Sequence, residues 1–360
     1  MKTIPILLLS VLSAIPLAAQ SSDQPEQPFK EKLDVNLVLV DATVTDRRGN
    51  QILGLGKDDF VVKEDGTPQE IASVDYFTNR TLLDSPETKA AFKVERVHEE
   101  RYFIIFFDKL LGAPIGLGLQ SELLRVKRSA GQFIDEQLKP QDKVAIVGHD
   151  ARLKIYADFT SDKRILKKAL DDAVMFSDGL SAVPAYADDF SIMKNLNMGT
   201  MMYRTGRVYD AVRVLADALP QVPARKVMAM FSVGIGDTAP NMPEFLENDD
   251  TYYRPMVQAL NEANVSVYAI NLLRNVVGHY PQEDTLSRMA SATGGEYFRN
   301  VVNFTTPLKQ IEKANNGYYM LSYYSNKPRG ESGYQKINVS LRNPEFRIKA
   351  REGYVYGDKS

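Results

Sequence analysis

The stretch that most constrains the fold begins at Arg101. RYFIIFF is an unbroken apolar run, and a run with no polar alternation suits a strand buried on both faces. SELLRVKRSAGQFIDEQL follows with apolar residues at helical spacing, then KVAIVGH as a second buried strand. RLKIYADF alternates like an edge strand, and DKRILKKALDDAV is helical, opened by the cap region at Thr160 and Ser161. GRVYDAVRVLADAL, RKVMAMFSV, YYRPMVQALNEAN, VSVYAINL, TLSRMASATGG, EYF and TTPLKQIEKANN continue the alternation, with glycine closing the TLSRMASAT helix. Strands are placed at 102–107, 143–149, 152–159, 226–233, 265–272 and 296–298. This order predicts an α/β fold with a six-stranded, mostly parallel sheet and helices on both faces. The second-to-third connection is too short for a helix, so that pair is antiparallel.

The flanks read differently. DVNLVLVDATVTD alternates as a strand, and FVVKEDGTPQEIASVDYF reads as strand, turn at Glu64 to Pro68, strand. At the far end GYYMLSYYS, YQKINVSL and FRIKAREGYVY read as three Tyr-rich strands, with core packing the first reading of the tyrosines. Residues 33–78 are too few to bury a core alone. Pairing them with 317–356 gives a small β-sandwich into which the α/β part, 101–316, is inserted; 79–100 is a polar connecting loop.

Composition excludes several function classes. The 44 basic and 46 acidic residues are balanced, without the basic excess of a nucleic-acid binder. There is no cysteine, hence no disulfide, thiol nucleophile or thiolate metal site. MKTIPILLLSVLSAIPLAAQ carries one lysine, an apolar stretch and small residues near Ala19 and Gln20. It reads as a signal peptide at 1–20, followed by a polar linker at 21–32. Removal of that segment leaves no stretch of membrane-spanning length, so the expectation is an exported protein, periplasmic or secreted.

Taken together, VNLVLVDATVTDRRGNQILGLGKDDFVVKEDGTPQEI, RYFIIFFD, FTSDKRILKKALD, RTGRVYDAV, ARKVMAMFSVG, VSVYAINL, LSRMASATGGEYF and GYYMLSYYS resemble the bacterial "VWFA-related domain" family of exported proteins, abundant in acidobacteria. The α/β part resembles a Rossmann-like von Willebrand factor type A domain. The resemblance runs from about residue 33 to 356. It implies a metal-ion-dependent adhesion site: a first-strand D-x-S-x-S, a threonine before the third helix and an aspartate after the fourth strand. Magnesium takes oxygen ligands at about 2.0–2.1 Å and keeps several waters, so an open position can accept an acidic group from a partner protein.

Carried over residue by residue, most of that site is missing. Asp108 matches the first aspartate, but Leu110 and Gly112 stand at the serine positions. Thr205 takes the threonine position, and Val233, or Gly234 with a one-residue slip, takes that of the second aspartate. Asp237 lies just beyond and is a further ligand candidate. The implied site is degenerate: no cofactor, or a weakly held Mg²⁺ or other divalent cation. The same residues also have a structural reading. Asp108 sits where helix N-termini converge, worth roughly 0.3–1 kcal/mol to a carboxylate, and Thr205 suits a helix cap.

Other constellations are weaker. His98, His149 and His279 lie in separate segments without metal-ligand spacing, and His149 reads as a loop histidine. No G-x-S-x-G elbow occurs. Gly116 and Gly118 lack the third glycine of a dinucleotide fingerprint. Asp171 and Asp172 read as a solvated helix face, whereas Asp188 and Asp189, in the irregular stretch 176–203, could flank a ligand. Met193, Met198, Met201 and Met202 make that stretch either an adaptable contact surface or a lid over the sheet edge.

The expected function is a non-enzymatic, adhesion-type module that binds a partner protein through a rim at the carboxyl ends of the strands: Asp108, Lys109, Leu110, Thr205, Asp188 and Asp189. One alternative is a structural or assembly component of the cell envelope with no metal-dependent ligand. Another is an enzyme using the loop carboxylates Asp188 and Asp189.

Overall fold

In the computed structural model, residues 36–78, 101–109, 119–188, 190–219, 225–235, 251–273, 281–325, 327 and 333–356 are described. The expected signal peptide at 1–20, the expected linker at 21–32, the expected connecting loop at 79–100, His98, Leu110, Gly112, Gly116, Gly118, Asp189, Asp237 and His279 lie outside them. The valine-rich alternation forms β1 (Asn36–Thr45). The next stretch does not make a simple hairpin. It forms β2 (Phe60–Glu64), β3 (Thr67–Gln69) and β4 (Ile71–Thr78), and only β3 stays beside β2. Pro68 has no N–H to donate, which suits β3 to the edge of its sheet.

β5 (Tyr102–Asp108) is buried at all seven positions. There follow α1 (Leu119–Glu136), β6 (Lys143–His149), β7 (Leu153–Thr160), α2 (Lys163–Val174), α3 (Ile192–Asn195), α4 (Met198–Tyr203), α5 (Val208–Ala218), β8 (Lys226–Ser232), α6 (Tyr253–Glu262), β9 (Val265–Asn271), α7 (Pro281–Ala292), β10 (Glu296–Phe298) and α8 (Thr305–Ala314). The sheet order is β10-β9-β8-β5-β6-β7, parallel except for β6 with β7. Each strand lies within a residue of its expected place. Along β5, Tyr102, Ile104 and Phe106 face the core under α5, α6 and α7, and Phe103, Ile105 and Phe107 face the core under α1, α2 and α8. The alternation of a strand and the apolar stripes of the helices thus bury both sheet faces.

Local caps differ in one place from expectation. Asp162, not Thr160 or Ser161, caps α2, its carboxylate accepting from Arg164 N at 2.8 Å and Ile165 N at 3.4 Å. The glycine pair after α7 behaves as its composition suggests. Gly294 has a left-handed φ of 72°, and a Cβ on Gly295 would overlap the Val267 carbonyl.

The stretch 176–203 is not irregular throughout, because it contains α3 and α4. Both pack on β7, which is why that edge strand is buried at all eight positions. The buried Asp158 carboxylate tethers this strap, accepting from Ser191 Oγ at 2.6 Å, Ile192 N at 2.9 Å and Met193 N at 3.1 Å. Met193 and Met201 are buried, and Met202 and Tyr203 emerge at the strap's end. Most of the methionine-rich stretch therefore covers the sheet edge.

The chain ends in β11 (Gly317–Ser325), β12 (Gly333–Leu341), β13 (Arg347–Ala350) and β14 (Gly353–Tyr356). FRIKAREGYVY is not one strand: β13 joins the sheet β13-β1-β11-β4, and β14 joins β14-β12-β2-β3. Both sheets are antiparallel and bury one shared core that includes Val40, Val62, Tyr319, Leu321, Tyr323 and Ile337. At its centre Glu64 accepts from Tyr354 Oη at 2.6 Å, Tyr323 Oη at 2.9 Å and Ser325 Oγ at 3.2 Å. Tyr319, Tyr323 and Tyr354 are core residues, whereas Tyr324 is exposed.

Where the small sheets meet the α/β layers, Asn264 Nδ2 donates to Asp41 Oδ2 at 2.8 Å, and Lys226 Nζ donates to the Ala263 carbonyl at 2.8 Å. Lys226 is 1% exposed, and burial pushes its ammonium down from 10.5 to about 8, against the pull of Asp41. Between those two values the unfolded chain binds the extra proton. The contribution of Lys226 to stability therefore rises with pH across that window, by up to about 3 kcal/mol. Urea titrations at neutral pH and near pH 10 should show the wild-type protein gaining on a Lys226→Met variant as pH rises. A difference that stays constant, or moves the other way, would contradict this account.

Candidate functional site

β8, β5 and β6 are neighbours, and they end side by side at Ser232, Asp108 and His149. The chain leaves β5 for β6 on one side and later returns to β8 on the other, so Asp108 lies where the strand order reverses. That crevice is the usual binding place in an open α/β sheet.

The crevice residues are closed on one another. Asp108 Oδ2 accepts from Ser232 Oγ at 2.7 Å, and Asp108 Oδ1 meets His149 Nδ1 at 3.2 Å. His149 Nε2 lies 3.0 Å from the Thr205 carbonyl, which can only accept, so Nε2 is the donor. Both ring nitrogens thus face oxygens. Thr205 Oγ1 donates to the Met201 carbonyl at 2.6 Å and accepts from Leu153 N at 2.9 Å. Thr205 ties the end of α4 to the start of β7, and so does not cap the following helix as the sequence suggested. α5 begins after Arg207 with no side-chain cap. Beside the cluster, Lys154 Nζ bridges Asp150 Oδ2 at 2.8 Å and the Phe176 carbonyl at 2.7 Å. Burial works against the Asp150 charge, but the Lys154 ammonium and the Ala151 N–H hold its carboxyl below the usual carboxylate range.

This arrangement does not fit a divalent cation. Asp108 is 1% exposed with both oxygens engaged, and Thr205 is fully buried with its hydroxyl used twice. Val233 is apolar and Gly234 has no side chain. Among the described residues no group of three or more His, Asp or Glu side chains is placed to hold a metal. Nor does the cluster form a nucleophilic triad. In such a triad the histidine lies between serine and carboxylate and the serine faces substrate. Here Asp108 lies in the middle and Ser232 is buried.

Sequence reasoning brought Asp108 and Thr205 to one place and missed what joins them. His149 closes β6 where the sequence places that strand's end, level with Asp108 in the parallel register, but the reading of it as a bland loop histidine gives it no part in the site. That position was the signal. Asp188 was expected on the same rim and is not there. Its Oδ2 lies 3.4 Å from Lys143 Nζ, and Lys143 opens β6 level with Tyr102. A strand of this length spans roughly 20 Å, so Asp188 lies at the opposite end of the sheet from Asp108. Asp108 and Thr205, being buried, present no contact surface.

What the rim does expose lies around the cluster. Tyr203, two residues from Thr205, is 86% exposed, and Met202, Arg204 and Arg207 are exposed with it. The Arg207 guanidinium lies 4.5 Å from the Tyr252 ring centre and donates to its hydroxyl at 2.8 Å. Lys109 is exposed, with its ammonium 5.4 Å from the Phe176 ring centre.

No family model and no curated protein matches the chain. Solved structures do. An aerotolerance-related membrane protein from Bacteroides fragilis NCTC 9343, carrying multiple mutations to serines, is 15% identical over 60% of this chain and 98% of that one, with a TM-score of 0.37. The ArnB paralog VWA2 from Sulfolobus acidocaldarius is 9% identical over 89% and 75%, at 0.33. Proximal thread matrix protein 1 from the mussel byssus, with a zinc-occupied MIDAS motif, is 15% identical over 63% and 48%, at 0.38. Likenesses this loose assign neither a function nor a site. Fold and site define a mixed α/β protein with a six-stranded, mostly parallel sheet and a sealed polar cluster at the strand ends.

Proposed function

We propose that the chain is an exported, non-enzymatic protein-binding module of the von Willebrand factor type A kind, of the VWFA-related sort, with its α/β part inserted in a β-sandwich made by the two small sheets. It grips its partner through the rim around Asp108 without a metal ion. Export is supported by the apolar, lysine-led N-terminal segment. Among the described residues no helix is long and apolar enough to cross a membrane. The observation that carries the reading is Tyr203, held 86% exposed beside a carboxylate that is sealed away. Aromatic and arginine side chains dominate the energetics of protein contacts, and here Tyr203, Arg207 and Tyr252 are the residues a partner can reach.

A second reading, a structural component of the envelope, is favoured by one observation. Leu37 and Tyr324 are cross-strand partners, and with Leu39 they are exposed on one face of the small sheet. Crosslinking pull-down from the envelope fraction separates the two. The expected result is a partner retained equally in EDTA and in Mg²⁺, lost with Tyr203→Ser and kept with Tyr324→Ser. Loss in EDTA would overturn metal independence, and loss with Tyr324→Ser alone would favour the second reading.

A further inference from the structure

A cleft of about 350 Å³ lies between α6, α7, the strand β12 and Glu352 just before β14. That volume is in the range of small-molecule sites, which favour junctions between structural units. Tyr253 and Tyr334 are lining residues, as are the buried Val257 and Ala292. None of these belongs to the rim cluster.

The charge of the lining is unusual for this chain. Arg254 from α6, Arg288 from α7 and Lys336 from β12 converge on the cleft, and all three are exposed. Glu352 is the one carboxylate in the lining, so three cationic side chains line the cleft against one anionic one, in a chain whose net charge is -2. Ser287 and Ser291 are four residues apart on α7, so their hydroxyls share the face that lines the cleft.

The walls are held in place. The Arg288 guanidinium lies 4.2 Å from the Tyr253 ring centre, a stacking that fixes the orientation of its donor fork. The Tyr334 ring lies over Gly353, where any Cβ would overlap it. A site ordered before binding loses less entropy on taking a ligand.

We propose that this cleft binds a small phosphorylated molecule, its phosphoryl group held by Arg254, Arg288 and Lys336 and its apolar body lying against Tyr253 and Tyr334. A phosphate monoester carries nearly two negative charges and three acceptor oxygens at neutral pH, matching the charge excess and the guanidinium and hydroxyl donors. A carboxylate offers one charge and two oxygens. The inference stands on residues the rim does not use, and either holds without the other.

Calorimetry on the full chain at low salt tests it, with phenyl phosphate as probe and phenol, inorganic phosphate and phenylacetate as comparisons. Phenyl phosphate is expected to bind at least roughly tenfold more tightly than each comparison. Arg288→Ala and Lys336→Ala are each expected to weaken it at least roughly tenfold. Lys336 is exposed, so the Lys336→Ala variant should keep the wild-type melting temperature, and Tyr203→Ser should leave phenyl phosphate binding unchanged. No saturable heat at millimolar probe, binding indifferent to both cation variants, or phenylacetate binding equal to phenyl phosphate would overturn the proposal.

Discussion

Replacing Asp108 with alanine is expected to lower folding stability by about 3–5 kcal/mol, with the same loss in EDTA and in Mg²⁺. The size follows from burial. The carboxylate is 1% exposed and both its oxygens are bonded, so its removal leaves His149 Nδ1 and Ser232 Oγ in a dry cavity without that partner. His149 Nδ1 is left without a partner, at about 1–3 kcal/mol, while Ser232 Oγ keeps only its bonds with Gly234. Asp108→Asn keeps the shape and part of the bonding and should cost less. An open metal site behaves in the opposite sense: its carboxylates repel one another without the ion, so removing one would stabilise the metal-free protein. Urea unfolding of wild type and variant in both buffers measures this. An Asp108→Ala protein as stable as wild type in EDTA would show that the carboxylate is not the structural keystone described above.

The second large effect is expected at Arg101. Its guanidinium donates twice to Asp142, at 2.6 and 2.8 Å, once to Asn316 at 2.8 Å and once to Glu312 at 3.2 Å. These bonds join the entry to β5, the turn before β6, the last turn of α8 and the entry to β11, so one side chain couples the parallel sheet to the small sheets. Burial works against its charge, but Asp142 and Glu312 more than compensate and raise its already high pKa. Arg101→Ala leaves Asp142 buried opposite a void, and loss of one partner from such a pair costs about 3–5 kcal/mol. Arg101→Met combined with Asp142→Leu removes both charges and should recover most of that loss, because an apolar pair of similar volume is often no worse than a buried ion pair. Denaturant midpoints of the single and double variants decide the matter. A single variant that unfolds like wild type would show the tie to be energetically idle.

The sealed cluster changes how the rim is understood. A metal-dependent adhesion site works by leaving a coordination position open to a partner. Here Asp108, His149, Ser232 and Thr205 close on themselves, and the accessible chemistry passes to Tyr203, Arg204, Arg207 and Lys109. The cluster is thereby a positioning device: it fixes the end of the strap from which Tyr203 projects.

The elements of the α/β part were legible because each carries its own period. YFIIFF, Tyr102 to Phe107, is apolar at every position whatever surrounds it, and the stripe Leu123, Val126, Ala130, Phe133 and Ile134 marks α1 without reference to any neighbour. Hydrophobic pattern and turn residues are local, so the six strands and their order of helices followed from them. Which residues meet was decided elsewhere. FRIKAREGYVY has the same alternation whether it is one strand or two. Its division is fixed at Arg351, which donates to the Asn261 carbonyl at 3.0 Å and to the Leu39 carbonyl, 90 and 312 residues away. Asp108 and Asp188 are both carboxylates beside loops in the sequence. They lie at opposite ends of the sheet because the strap runs the length of β7 between them, tethered at Asp158. The pairing of Asp108 with His149 depends on β5 and β6 lying level, and that register is set by packing against helices on both faces. The sequence by itself determined the kind and order of the elements, because those depend on contacts a few residues apart. Only the tertiary structure decided that Asp108 would be sealed by a histidine, because that contact joins two strands whose relative position no local pattern records.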